Sequence, residues 1–238
     1  SEIARVLGPP RRVVRTSMDT LPAGVVTALS VGPEGGSILF VEAGTMPGKG
    51  ELRLTGNLGE VLRESAQAAL SHLRMMPEMD GFERAFSDRD IHVHVPDAAT
   101  AKDGPSAGVA VFLAMLSAVT GVPMRGDVAV TGEMTLTGRV LAVGGVRAKL
   151  LAAERAGVRQ VILPEENRAD IPDDLPIEVV LVRSVAEAVS AAFEGVPVDP
   201  ENADTPSKRP PATQRRRRET GVATEALVSG PERRSNRA

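Results

Sequence analysis

The chain has 238 residues, enough for one large domain or two small ones, and 42% of them are hydrophobic, but it has no Trp or Tyr and only five Phe, so its core must be built from Val, Leu, Ala and Met. The lack of cysteine excludes disulfides and thiolate metal sites, and no apolar run reaches the roughly 18 residues of a membrane span, which together predict a cytoplasmic protein. The net charge of −3 divides unevenly: from Asp199 to Ala238 nine basic and six acidic residues give +3, leaving −6 on the first 198 residues.

Residues 1–22 carry a Pro9-Pro10-Arg11-Arg12 break and read as a linker that continues something longer. Two β-rich runs follow, 25–31 and 37–42, separated by Gly32-Pro33-Glu34-Gly35-Gly36, a hairpin signal. Residues 50–55 alternate and predict a third strand. Between them, Gly44 to Gly50 resembles a phosphate-binding loop. It has three residues between its glycines where that motif needs four, Gly50 stands in place of the magnesium-binding Ser or Thr, and a strand rather than a helix follows. No nucleotide site is expected there.

Apolar residues at 58, 61, 62, 66, 69, 70 and 73 recur at a helical period, which predicts a helix from Leu58 to Met76, capped by Asn57 and ended by Pro77. A strand is expected over 91–96, then a wholly apolar buried helix over 109–119 broken by Gly121 and Pro123. Further strands are predicted at 127–131, 139–143, 160–164 and 177–182, with helices from Val146 to Ala156, ended by Gly157, and from Val185 to Phe193. Strands and helices mix without strict alternation, so the fold class is α+β, with one domain over 23–197. Beyond residue 198 the chain is rich in Pro, Arg, Thr and Ser and is expected to be disordered. Arg215 to Arg218 reads as a solvated charge cluster, with weak nucleic-acid binding as the remaining partner reading.

The stretch from Ala101 to Gly108 places Ser106 where a loop turns into the buried helix. Pro105 suits a first helical turn, whose unpaired amides and dipole favour negative charge. The plain reading is a serine at a helix start. The chemical reading needs a base. Gly104-Pro-Ser106-Ala-Gly108 matches a nucleophile elbow, but that fold places its histidine after the serine, and the only histidines, His72, His92 and His94, all precede it. Val109 excludes a Ser-x-x-Lys arrangement. His92 and His94 point to one face of their strand, where they could approach the serine or form half of a metal site that neither a cysteine nor a third nearby histidine completes; the plain reading is structural residues near the site.

Lysine is the alternative. Of 28 cationic residues only Lys49, Lys102, Lys149 and Lys208 are lysine, and lysine, unlike arginine, can be neutralised by burial. Lys149 falls on the apolar face of its helix with Val146, Ala152, Ala153 and Ala156, opposite Arg147 and Glu154. It either snorkels past the alanines or sits neutral in a dry site.

Lys102-Asp-Gly-Pro-Ser106-Ala-Gly108, Thr131-Gly-Glu-Met-Thr-Leu-Thr-Gly138, Val143-Gly-Gly-Val146 and Lys149-Leu-Leu-Ala-Ala, with Lys149 standing 43 positions after Ser106, resemble the proteolytic domain of the Lon family of ATP-dependent proteases. The likeness runs from about Gly24 to Phe193. Ala101, Arg147-Ala148 and the lack of an aromatic residue near Val31 depart from the family pattern. The resemblance implies a serine endopeptidase with a Ser106–Lys149 dyad, Thr131 orienting the lysine, and first-turn amides, with Gly104, holding the oxyanion. It implies that Asp103 can block the site in an inactive form. It also implies a preceding ATPase module that uses ATP and magnesium, a homohexamer, and unfolded, damaged or short-lived regulatory proteins as substrates. A catalytically silent binding module of the same fold, or a Ser–Lys peptidase of the self-cleaving repressor or signal-peptidase type, are the rival readings.

Overall fold

Alternation along the β-rich runs sends successive side chains to opposite faces, and two clusters of apolar residues form on the two sides of one sheet. The computed structural model describes residues 21–76, 88–96 and 102–193. Strands β1 (Val25–Gly32) and β2 (Gly35–Pro47) form the expected hairpin, antiparallel from Val25 opposite Glu42 to Gly32 opposite Gly35. Strand β2 runs past the expected Glu42 and takes in half of the loop that resembles a phosphate-binding motif. With β3 (Leu52–Thr55), β4 (Arg89–His94), β5 (Val128–Val130), β8 (Gln160–Pro164) and β9 (Glu178–Val182) it makes a seven-stranded mixed sheet in the order β3-β4-β2-β1-β5-β8-β9. Strands β6 (Glu133–Met134) and β7 (Val140–Leu141) form a separate small hairpin. The architecture is α+β.

Helices α1 (Glu60–Met75), α2 (Gly108–Thr120) and α4 (Val185–Ala192) contribute to a core that also takes Val26, Ala28, Val130 and Ile162 from one face of the sheet. Helix α3 (Val146–Ala156) packs on the other face with Leu29, Ala129, Val161 and Leu163. This division explains the sequence of α2. It is buried from Gly108 to Ser117, between sheet and α1, so it carries no polar stripe. Helix α3 ends at Gly157 in the left-handed region, as expected.

One local expectation fails. Asn57 does not cap α1: it has φ of 57°, the helix begins at Glu60, and the N-cap Gly59 offers no side chain. Ser106 lies where expected, at the passage from loop to helix, in a 3₁₀ turn, Pro105–Ala107, that leads into α2. Most of the expected linker (residues 1–20), Pro77, Ala101 and the tail from residue 198 lie outside the described residues. Leu21, at the start of the described part, is buried, and its N–H donates to the Met124 carbonyl at 3.3 Å. No described helix is long and apolar enough to cross a membrane.

Candidate active site

Three segments that the sequence keeps apart meet at the end of β5. Thr131 follows the last residue of that strand, and its N–H donates to the Ile162 carbonyl of β8 at 3.1 Å. The next residue, Gly132, donates its N–H to the Ser106 carbonyl at 2.9 Å, and its own carbonyl accepts from Val109 N–H at 3.1 Å. The Ser106 turn is thus laced by its backbone to the strand that carries Thr131. Gly132 also packs against Val109, where a Cβ would come within 2.8 Å of a valine methyl.

Lys149 enters from α3. It is 1% exposed, among the most buried large side chains of the protein, and Nζ donates to Thr131 Oγ1 at 3.0 Å. Thr131 Oγ1 in turn donates to the Ser106 carbonyl at 3.1 Å. A hydroxyl has one proton to give. With that proton on the Ser106 carbonyl, the lysine must be the donor to Thr131 in either charge state, and a neutral amine keeps its lone pair for another partner. No carboxylate pairs with the amine among the described residues. Burial alone lowers its pKa from the ordinary 10.5 to about 8. Of the two readings of Lys149 on its apolar face, the dry site is the one realised. The half-buried Ser106 remains reachable from solvent, and no hydrogen bond joins its Oγ to Lys149 among the described residues.

Gly104 has φ of 118°, a region that favours glycine, and its N–H donates to Asp103 Oδ1 at 2.9 Å. That amide is therefore occupied, contrary to the expectation that it faces an oxyanion. Asp103 Oδ1 also accepts the N–H of Leu62, in the first turn of α1, at 3.1 Å. The capping group that Asn57 was expected to supply comes instead from the loop before Ser106.

The sequence gives no hint of Asn167. It is buried in the 3₁₀ segment Glu165–Asp170, and its amide mimics a paired strand: Oδ1 accepts Val143 N–H at 2.9 Å and Nδ2 donates to the Val143 carbonyl at 3.0 Å. Glu166 accepts from Ala142 N–H at 3.2 Å beside it. Together they hold the Gly144-Gly145 turn from which α3, and hence Lys149, departs. Only a side chain offering donor and acceptor on one planar group does this, and nothing in the local pattern marks it.

The histidines stand elsewhere. His92 Nε2 and His94 Nδ1 both bond Thr55 Oγ1, at 2.8 and 2.7 Å, on strands β4 and β3. His72 lies under the β6–β7 turn, bonded to the Leu136 carbonyl at 3.0 Å and tilted against Phe112. No group of three or more His, Asp or Glu suited to a metal ion occurs among the described residues.

The loop that resembles a phosphate-binding motif does cradle an anion, but the anion belongs to the chain. Asp90 Oδ1 accepts Lys49 N–H at 2.8 Å and Glu51 N–H at 3.0 Å, and Arg53 reaches Oδ2 at 3.3 Å. The hydrogen bonds from Glu51 and Lys49 lower the Asp90 carboxyl below its ordinary pKa. A Cβ at Gly48 would lie 2.1 Å from Asp90 Cγ. With the cradle filled, these residues do not fit a nucleotide phosphate.

A family model described as the Lon protease (S16) C-terminal proteolytic domain matches residues 1–194. The chain is 48% identical over 206 residues to the Lon protease of Methylocella silvestris, covering 84% of this chain and 25% of that protein. It is 51% identical over 173 residues to Lon protease 2 of Thermus thermophilus (72% of this chain, 22% of that protein). It is also 51% identical over 176 residues to the Lon protease of Aquifex aeolicus (73% and 22%). The chain thus spans about a quarter of the length of the curated relatives it matches. Such identity covers the strand that carries Thr131 and both segments that meet it, so the chain belongs to the Lon protease C-terminal proteolytic domain family.

Proposed function

We propose that this chain cleaves peptide bonds as a serine endopeptidase, with Ser106 as nucleophile, Lys149 as general base and Thr131 orienting the lysine. One observation carries the reading: a lysine 1% exposed, lowered to about 8 and bonded to a hydroxyl that also holds the Ser106 carbonyl. A buried lysine whose pKa burial brings toward neutrality supports the role of a base.

In the reaction, neutral Lys149 takes the proton of Ser106 Oγ as the oxygen forms a bond to the scissile carbonyl carbon. The oxyanion is held by the N–H of Ser106 in the 3₁₀ turn. The C–N bond breaks as Lys149 returns the proton to the leaving amine, leaving an acyl-enzyme. Water, deprotonated by the same amine, attacks the ester, and the serine regains its proton as the carboxylate leaves. Thr131 accepts from the amine throughout and keeps the lone pair aimed away from itself.

The wider reading is the one the family resemblance implies. The domain over 23–197 works in a cytoplasmic homohexamer behind an ATPase module that binds ATP and magnesium, and degrades unfolded, damaged and short-lived regulatory proteins. The linker 1–22 joins the two, and the tail from 198 is an appendage that can touch nucleic acid weakly.

The test is hydrolysis of casein and of an unstructured fluorogenic peptide by this chain, compared with Ser106→Ala and Lys149→Arg. Both variants are expected to lose all activity, since arginine cannot be neutralised. Cleavage by either at the wild-type rate rejects the assignment.

A further inference from the structure

The nucleophile turn is fixed on one side by Gly132 and on the other by a contact with α1 that the chemistry above does not use. Lys102 N–H donates to the Asn57 carbonyl at 3.1 Å, and Gly59 N–H donates to the Lys102 carbonyl at 2.8 Å, so residues 57–59 and 102 run as a short parallel bridge. Asp103 then takes two amides with one oxygen. Leu62 N–H belongs to the first turn of α1, which otherwise lacks a side-chain cap, and Gly104 N–H opens the turn that carries Ser106. An acceptor at a helix start satisfies a donor with no intrahelical partner and lies in the favourable end of the helix dipole.

Gly59 makes the contact sterically feasible. Its φ of −70° and ψ of 174° suit any residue, so glycine is not required by the backbone. A Cβ there would lie 2.2 Å from Asp103 Cγ, 2.5 Å from Oδ2 and 2.6 Å from Cβ. The room that Gly59 leaves is filled by the Asp103 side chain.

We propose that the N-terminus of α1 is a positioning element for the nucleophile: Leu62 N–H and the space at Gly59 hold Asp103, and Asp103 sets the entry into Gly104–Ser106. Asp103 acts here as a positioning residue and not as a participant in the chemistry. The proposal rests on Ser106 being the nucleophile. Because a displacement of about 1 Å at a reacting group lowers rates by up to roughly a hundredfold, loosening this clasp falls on kcat.

The experiment compares Asp103→Ala, Asp103→Asn and Gly59→Ala, in the full chain, by peptide hydrolysis and by amide hydrogen exchange. Asp103→Ala and Gly59→Ala are each expected to lower kcat by about tenfold or more with KM within about twofold. Asp103→Asn, whose amide oxygen still accepts both bonds, stays within about threefold of wild type. Exchange at Leu62 and Gly104 speeds up in the two alanine variants and not in Asp103→Asn, with melting temperatures monitored to exclude unfolding. An Asp103→Asn as slow as Asp103→Ala, or a Gly59→Ala that keeps the wild-type kcat, overturns the proposal. If the exchange pattern appears while no protein hydrolyses peptide, the protease reading fails and the clasp stands.

Discussion

Lys149→Met tests the buried amine through stability as well as activity. The fall of its pKa from 10.5 to about 8 means that folding at neutral pH drags a charge into a dry site. At pH 7 that penalty is at most about 3 kcal/mol, reduced by whatever screening solvent supplies. Methionine fills similar space without charge, and Thr131 Oγ1 keeps its bond to the Ser106 carbonyl, so no buried hydroxyl is orphaned. The variant is therefore expected to be inactive but more stable, with a melting temperature higher by up to about 10 °C at pH 7. The sign follows from proton counts. Between pH 8 and 10.5 the unfolded wild type binds a proton that the folded form has released, so wild-type stability rises with pH across that window and the advantage of the Met variant shrinks. At pH 7 only about one amine in ten is neutral, so kcat/KM rises about tenfold per pH unit below 8 and then levels. Thermal melts at pH 7 and 10 and a kcat/KM profile from pH 6 to 10 read both effects. A Met variant that melts below wild type at pH 7, or a profile flat between pH 6 and 8, refutes the reasoning.

Thr27, wholly buried in β1, has a hydroxyl with no partner among the described residues, so Thr27→Val should be neutral or stabilising by about 1 kcal/mol in a thermal melt. Gly48→Ala drives a methyl into Asp90 and should lower the melting temperature by about 4 °C or more; an unchanged melt would show that the cradle can move aside. Asp90, lowered by the amides it accepts, contributes stability that is present above its ordinary value and lost as pH falls through its folded one, a slope that Asp90→Asn should remove from acid titrations. His72, lowered from 6.5 by burial, binds its proton more readily unfolded, so stability falls as pH drops below 6.5. In His72→Asn, whose amide can still donate to the Leu136 carbonyl, that part of the pH dependence should flatten, which denaturant melts from pH 5 to 7.5 will read.

The sequence by itself determined the α+β class, the buried helix after Ser106, the end of α3 at Gly157, and the suspicion that fell on Lys149. Each rests on short-range periodicity, on a glycine's special backbone, or on an inventory in which lysine is scarce among arginines. The motifs around Ser106, Thr131 and Lys149 made the family legible for the same reason, since they are contiguous runs. Contacts between distant segments were not legible. Asn57 looked like the cap of α1, but the acceptor for Leu62 N–H comes from Asp103, 41 residues away in the chain. Nothing in the local sequence marked Asn167, which the fold sets against Val143. The glycine loop at 44–50 was rejected as a phosphate site on its spacing, but only the pairing of β2 with β4 brought Asp90 beside it. The dryness that lowers Lys149 was likewise a tertiary decision. A helical wheel can show that a lysine shares a face with alanines, but only a sheet packed across that face removes the water that would keep the amine charged.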